Sequence, residues 1–167
     1  MAEAGTHNTS RVRSNTKGNK ELDGDEISFN SSFLEPKAVL HTLQTYNNGG
    51  FMTSLVTNIT NKTFEIAQES LETNAISTEE TIGWIAMTIG NGTTGNSSFI
   101  IGIGDNGEKN GVDDQEFTID LSSAGFTVPG DVIVSAIVEN GKNGAYARGS
   151  GTYSRTEQGV YAEEGEN

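Results

Sequence analysis

Residues 27–40 read ISFNSSFLEPKAVL, and residues 119–133, IDLSSAGFTVPGDVI, repeat the same order of apolar, polar and turn residues. The first isoleucines of the two stretches lie 92 residues apart (119 − 27). With slips of one residue at turns, the correspondence continues from Ile27–Ser70 onto Ile119–Glu164. A repeat of this length predicts that one structural unit occurs twice in the chain.

The composition around this repeat favours β-structure. The chain has 21 glycines and 2 prolines, and its apolar residues are mostly β-branched or aromatic and stand in short runs. We therefore predict an all-β fold of two tandem small antiparallel β-sandwiches, with about six strands in the first and five in the second. The expected strands of the first are Thr9–Arg13, Glu26–Phe33, Ala38–Tyr46, Phe51–Ile59, Thr63–Leu71 and Glu80–Ile89, and those of the second are Ser98–Gly104, Glu116–Ser122, Val132–Val138, Ala145–Tyr153 and Gln158–Ala162.

This pattern divides the chain into four parts. Residues 1–8 are expected as a polar N-terminal arm, 9–90 as the first sandwich, 91–97 as a linker, and 98–167 as a second, incomplete sandwich. The second copy stops before any counterpart of Glu80–Ile89. We therefore expect an unfinished sheet edge near residues 158–163, which would accept a strand from a partner.

Turn residues between the strands are the candidate contact points. The run Asn47–Gly50 is predicted to close one hairpin, and Asn61-Lys62 a second, because Asn and Gly tolerate the backbone of tight turns. The run Asn140–Gly144 takes the place of the first hairpin in the second copy. These two turns occupy equivalent positions in the two copies. The predicted ligand or partner contacts are therefore Asn47, Asn48, Gly49, Gly50, Asn140, Lys142 and Asn143.

The charge of the chain excludes some partners. With 23 acidic and 10 basic residues, the net charge is −13, which argues against nucleic acid and against an anionic membrane surface. No stretch is long and apolar enough to span a bilayer, so membrane insertion is not expected. The chain has no cysteine, which excludes thiolate metal sites and thiol catalysis.

An acidic segment from residue 105 to residue 116 is the candidate metal site. Calcium prefers six to eight oxygen ligands from a flexible loop, and Asp105, Glu108, Asp113 and Asp114 would supply carboxylates. The spacing does not fit an EF-hand. We favour the alternative, a solvated acidic connector, and expect no other cofactor.

Catalytic chemistry finds little support in the sequence. His41 stands in an apolar strand and is interpreted as a packed or surface histidine, while His7 lies in the polar arm. Trp84 stands in an unbroken apolar strand and is interpreted as a core residue. No nucleophile, base and acid can be chosen from these residues, so we expect that the protein is not an enzyme.

Three runs, Tyr46–Gly50, Val56–Ile66 and Glu80–Ala86, together with the 27–40 stretch, resemble the H-type lectin domain. The resemblance covers residues 9–89 well and 98–164 more loosely. It implies a six-stranded sandwich that assembles as trimers, sometimes stacked into hexamers, and binds sugars such as N-acetylgalactosamine near subunit junctions. In such lectins a loop before the last strand contacts the sugar through Trp or His, and here that loop, Glu72–Ser77, has neither.

Together these patterns predict a non-enzymatic surface interaction or assembly module that acts in adhesion, in glycan binding or in an extracellular assembly. The alternative is a virion structural protein, such as a capsid decoration or tail-fibre component, and a third class is an accessory domain of an enzyme. The expected location is the extracellular surface or a virion. The expected partners are further copies of the chain, with a trimer favoured, a larger protein assembly, or a glycan.

Overall fold

The fold is all-β, as the sequence predicts. The computed structural model describes residues 1–13, 24–33, 37–50, 52–70, 78–103, 117–127 and 145–164. Within these ranges the chain forms twelve strands and one 3-10 turn, Ser122–Ala124. The strands are β1 Ala2–Thr9, β2 Val12–Arg13, β3 Asp25–Ser28, β4 Lys37–Leu43, β5 Met52–Thr57, β6 Thr63–Ser70, β7 Glu80–Thr88, β8 Gly90–Thr94, β9 Ser97–Ile101, β10 Phe117–Asp120, β11 Ala145–Tyr153 and β12 Glu157–Glu164.

The first seven strands form two sheets. Sheet A has the order β1-β7-β4, with both neighbours of β7 antiparallel to it. Sheet B is built on β6, which pairs with β5 and β3 antiparallel and with the two residues of β2 in parallel. The chain passes from sheet A to sheet B between β1 and β2, and again between β4 and β5.

The core lies between these two sheets. The central strand of sheet A, β7, points Ile82, Trp84 and Ala86 inwards, and all three are buried. Trp84 meets the ring of Phe64 from sheet B edge to face, with ring centroids 5.1 Å apart. The interpretation of Trp84 as a core residue is therefore confirmed. Because side chains alternate across a strand, the same register places the odd-numbered residues of β7 on the outer face of sheet A.

Residues 1–8, expected as a polar arm, instead form most of β1. All eight residues of β1 pair with β7, from Ala2 opposite Met87 to Thr9 opposite Glu80. An edge strand forms backbone hydrogen bonds on one side only and packs only one of its faces against the core. A strand with few apolar residues can therefore occupy this position. The inward residue His7 also bonds Asp25 of β3, with Nε2 and Oδ2 3.0 Å apart, and so links the two sheets at this edge.

The predicted hairpin at Asn47–Gly50 is wrong. Strands β4 and β5, which flank this run, lie in different sheets and pair with β7 and β6. Residues 44–50 therefore belong to a crossover between the two layers. The second predicted hairpin is confirmed, because β5 and β6 are antiparallel neighbours on either side of Asn61-Lys62.

The C-terminal strands repeat the arrangement of sheet B. Their sheet has the order β10-β12-β11, so its last strand lies between the other two, as β6 lies between β3 and β5. The hydrogen bonds correspond as well. The amide of Phe29 donates to the carbonyl of Lys62 at 2.7 Å, and the amide of Leu121 donates to that of Thr156 at the same distance.

The position of β12 corrects the expectation of an unfinished edge for residues 158–160, whereas residues 161–163 pair with β11 alone. Its residues from Gln158 to Val160 pair with β10 on one side and, at Gln158 and Val160, with β11 on the other. A central strand has no free row of amide and carbonyl groups there to offer a partner. The expected strand at Val132–Val138 lies outside the described residues.

Residues 91–97, expected as a linker, lie within a β-hairpin. Strands β8 and β9 are antiparallel, and the chain reverses at Gly95 and Asn96. Gly95 has a φ of +59°, a left-handed conformation that glycine adopts without steric cost. The division of the chain into two sandwich domains stays a prediction.

Candidate ligand-contact site

A buried carboxylate organises the crossover between β4 and β5. Glu80, the first residue of β7, is fully buried at 0% exposure. Its Oε1 atom accepts hydrogen bonds from the backbone amides of Asn47 at 2.6 Å and Asn48 at 2.9 Å. Its Oε2 atom accepts one from the Thr45 hydroxyl at 2.6 Å. One side chain therefore holds the backbone of Asn47 and Asn48 and the side chain of Thr45.

These donors also set the ionisation of Glu80. Burial alone raises the pKa of a carboxyl group, because it disfavours the charged form. The hydrogen bonds from Thr45, Asn47 and Asn48 together outweigh burial, so the pKa of Glu80 lies below its usual range. Glu80 is therefore ionised at neutral pH, and its charge is stabilised by neutral donors.

The side chain of Asn48 extends this network into the core. It is only 3% exposed, and its Nδ2 atom donates to Glu80 Oε1 at 2.8 Å and to Gln68 Oε1 at 3.1 Å. Gln68, on β6, is itself buried and donates to the carbonyl of Thr9 on β1 at 2.6 Å. The network thus joins the loop to strands of both sheets.

The outward side of the same loop displays an aromatic ring. Tyr46 is 69% exposed, and its hydroxyl donates to the carbonyl of Gly50 at 3.3 Å. Asn47 is exposed, and its Nδ2 atom donates to the carbonyl of Glu79 at 2.8 Å. Next to them Gly49 faces open space. We call residues 45–50 the Tyr46 loop.

This arrangement is suited to binding. A tyrosine held by its neighbours offers an apolar ring face at little cost in conformational entropy, with polar backbone and amide groups beside it. The hydroxyl of Thr45 is already bonded on both sides, since it donates to Glu80 and accepts from the amide of Thr81 at 2.8 Å.

Of the predicted contact residues, the structure brings Asn47, Asn48, Gly49 and Gly50 together in this loop. The side chain of Asn48 is turned inwards and Gly50 is half-buried, so Asn47 and Gly49 are the exposed residues of this set. The predicted contacts Asn140, Lys142 and Asn143 lie outside the described residues, and so do the candidate calcium ligands Asp105, Glu108, Asp113 and Asp114. In the part of the chain that is described, no group of three or more His, Asp or Glu side chains could hold a metal ion.

Sequence reasoning missed Glu80 and Tyr46 as site residues. A signal for Glu80 exists, because it stands two residues before Ile82 and four before Trp84 and so shares their inward parity. An acidic residue at an inward position needs hydrogen-bond donors, which points to the Asn-rich loop. No comparable signal marks Tyr46.

The two histidines occupy structural positions. His41 is half-buried between the sheets, with its Nδ1 atom 2.8 Å from the hydroxyl of Ser54, which is itself buried. His7 bonds Asp25 as described above. Burial raises the pKa of Asp25. The hydrogen bonds from Thr9 and His7 and the charge of Arg11 lower it by more than burial raises it, so the pKa of Asp25 lies below its usual range.

Comparison with protein-family models, with curated proteins and with solved structures finds no match to this chain. The fold and the site define only a class: this is an all-β protein whose first two sheets enclose one core, with the Tyr46 loop in the crossover between them. The resemblance to H-type lectins stays a prediction. None of the described residues belongs to a helix that is long and apolar enough to cross a membrane.

Proposed function

We propose that this protein is a non-enzymatic interaction module that contacts its ligand through the Tyr46 loop. The proposed ligand is a glycan, and the proposed setting is adhesion or another extracellular assembly. A sugar ring has an apolar face that can lie on an aromatic ring, while its hydroxyl groups hydrogen-bond to amides and carbonyls beside it.

One observation carries this proposal: an exposed tyrosine stands on a loop that a buried carboxylate holds in place. Burying an ionised side chain is costly, and in Glu80 the cost is offset only because several loop donors converge on it. Such a loop loses little further freedom when a ligand binds, which favours affinity. The resemblance to H-type lectins implies the same ligand class, but the Trp or His that contacts the sugar in those lectins is missing from residues 72–77 of this sequence.

The experiment is a glycan array with the wild-type protein and two tyrosine variants. We expect binding that free sugar abolishes, and we expect Tyr46→Ala to reduce it by about tenfold or more. Tyr153→Ala is the matched control, because Tyr153 is also exposed, at 48%, but lies on β11. Absence of glycan binding by the wild type, or equal losses in the two variants, contradicts the proposal.

The second candidate function is that of a building block in a virion, as a capsid decoration or tail-fibre component. The observation that favours it is the repeat of one three-stranded unit within the chain, with the same strand order and the same turn. Copurification with capsids or fibres would support this candidate over the first. In either role we propose association with further copies of the chain, and the trimer remains the state that the resemblance implies.

A further inference from the structure

Among the described residues, those that strand register assigns to the outer face of sheet A include no charged side chain. The register of its strands assigns eleven residues to this face: Ala2, Ala4, Thr6 and Asn8 of β1, Thr81, Gly83, Ile85 and Met87 of β7, and Ala38, Leu40 and Thr42 of β4. Alternating exposure along β1 agrees with this assignment. In a chain with 33 charged residues and a net charge of −13, an uncharged face is a distinct surface.

The outer face of sheet B differs in this respect. There Glu26 of β3, which is exposed, stands directly opposite Glu65 of β6, which is half-buried. Further along β6 on the same side, Ala67 and Glu69 are buried. Two copies of the protein would repel each other if these faces met. The accessible part of the sheet B face therefore carries carboxylates, whereas the described residues of the sheet A face carry none.

The centre of the sheet A face is apolar and accessible. Ile85, in the middle of the central strand, is 45% exposed, and its neighbours Leu40 and Met87 are half-buried. Toward one end of the face, the side chain of Gln44 lies across Gly83, so an uncharged amide covers the gap that the glycine leaves. The face thus has an apolar centre, in which Ile85 is exposed and Ala38 is buried, beside neutral polar groups.

We propose that a second copy of this chain packs on the outer face of sheet A with its own equivalent face. A strongly acidic protein can approach itself closely only where no carboxylate has to be desolvated, and this face meets that condition on both copies. Contact of one face with itself is isologous and closes as a two-fold dimer, with Ile85 near Ile85 of the second copy.

The size of the face determines how strong the contact is. Three strands about 4.8 Å apart and about seven residues long at about 3.3 Å per residue cover roughly 350 Å². A standard interface buries about 800 Å² on each partner. We therefore expect a reversible dimer that dissociates on dilution and that is stabilised by salt, because salt screens the repulsion between the two acidic copies.

Single-cysteine crosslinking tests the contact, since the wild-type chain has no cysteine. In an isologous pair, Ile85→Cys places two thiols close to each other, and we expect a disulfide-linked dimer at least about tenfold faster than for the control. The control is Ile103→Cys, because Ile103 has a similar exposure of 49% but lies beyond β9, outside the face. Equal rates for the two variants overturn the proposal.

Sedimentation velocity without crosslinking provides the second measurement. We expect the wild type to shift from monomer to dimer as the concentration rises to about 0.2 mM and further as salt rises to about 500 mM. Ile85→Lys should abolish the shift although it lowers the net negative charge, whereas Ile103→Lys should retain it. A wild type that stays monomeric, or that forms trimers, overturns the proposal.

This inference rests on the proposed association of copies, names the surface and replaces the trimer that the resemblance implies with a two-fold dimer. It does not depend on the Tyr46 loop. Loss of glycan binding in Tyr46→Ala leaves the dimer unchanged if both proposals hold. Failure of the crosslinking experiment removes the dimer without affecting the ligand-contact proposal.

Discussion

Glu80 is the residue on which the candidate site depends. Its carboxylate is buried and, among the described residues, receives hydrogen bonds only from neutral donors. Since a buried charge without its donors costs several kcal/mol, the carboxylate and the loop stabilise each other. Any change at Glu80 is therefore expected to alter both stability and loop order.

The first prediction concerns Glu80→Gln. A glutamine keeps the shape but places an amide nitrogen among groups that need an acceptor, so we expect the free energy of unfolding at pH 7 to fall by about 2 kcal/mol. Urea denaturation measures this loss. Glu79→Gln is the control, because Glu79 is exposed and should change stability by less than about 0.5 kcal/mol.

The same variant has a defined pH dependence. Because the folded-state pKa of Glu80 lies below its ordinary value of 4.5, ionised Glu80 stabilises the fold well above pH 4.5, and this contribution is lost as the pH falls through the folded-state pKa. The difference between wild type and Glu80→Gln should therefore shrink in acid. A difference that grows as the pH falls would contradict the downward shift.

At the scale of elements, the repeat was predictable because both copies have the same local hydrogen bonds at the turn before their last strand. Thr60 accepts hydrogen bonds from the amides of Lys62 and Thr63, and Ser154 accepts them from the amides of Thr156 and Glu157. A hydroxyl at the start of a short turn bonds the backbone two and three residues on. The hairpins β5-β6 and β11-β12 follow from it.

The elements that sequence reasoning missed depend on distant contacts. The Asn47–Gly50 run has hairpin chemistry, but Glu80, more than 30 residues away, fixes it as a crossover. The polar strand β1 has no strand pattern of its own and is stabilised by pairing along β7. Likewise, Tyr46 becomes a candidate contact only once the loop around it is known.

A like-charge pair supplies a prediction for sheet B. Glu26 and Glu65 stand directly opposite each other on antiparallel strands, where like charges are unfavourable. We expect Glu26→Lys to raise the free energy of unfolding by about 0.5 kcal/mol, and less at high salt. The urea midpoint at low and high salt measures this, and an unchanged or lower midpoint at low salt would contradict it.

A glycine in β1 supplies a prediction for sheet A. A Cβ atom at Gly5 would lie 2.8 Å from Cζ2 of Trp84, which is closer than Cβ atoms approach other heavy atoms in protein structures. We expect Gly5→Ala to displace the indole and to lower the free energy of unfolding by about 1–3 kcal/mol. Gly49→Ala is the control, since Gly49 faces open space, and equal effects of the two changes would contradict the packing described here.

At the scale of the whole molecule, the described residues include one sheet face without charge in a strongly acidic chain. The net charge of −13 is visible in the sequence, but which surfaces lack charge depends on strand register. The duplicated unit likewise appears in the sequence, whereas the central position of β12 requires the sheet order. The described residues thus combine an acidic composition, a neutral sheet face and a loop that is hydrogen-bonded to a buried carboxylate, which are the properties that we propose for an interaction module.

The most direct test of the ligand-contact claim is an NMR titration of the folded protein with N-acetylgalactosamine, the sugar that the resemblance implies. Binding at the Tyr46 loop predicts chemical-shift changes concentrated in the backbone amides of residues 45–50, which Tyr46→Ala abolishes. Shift changes confined to other strands, or none at high sugar concentration, would contradict the claim.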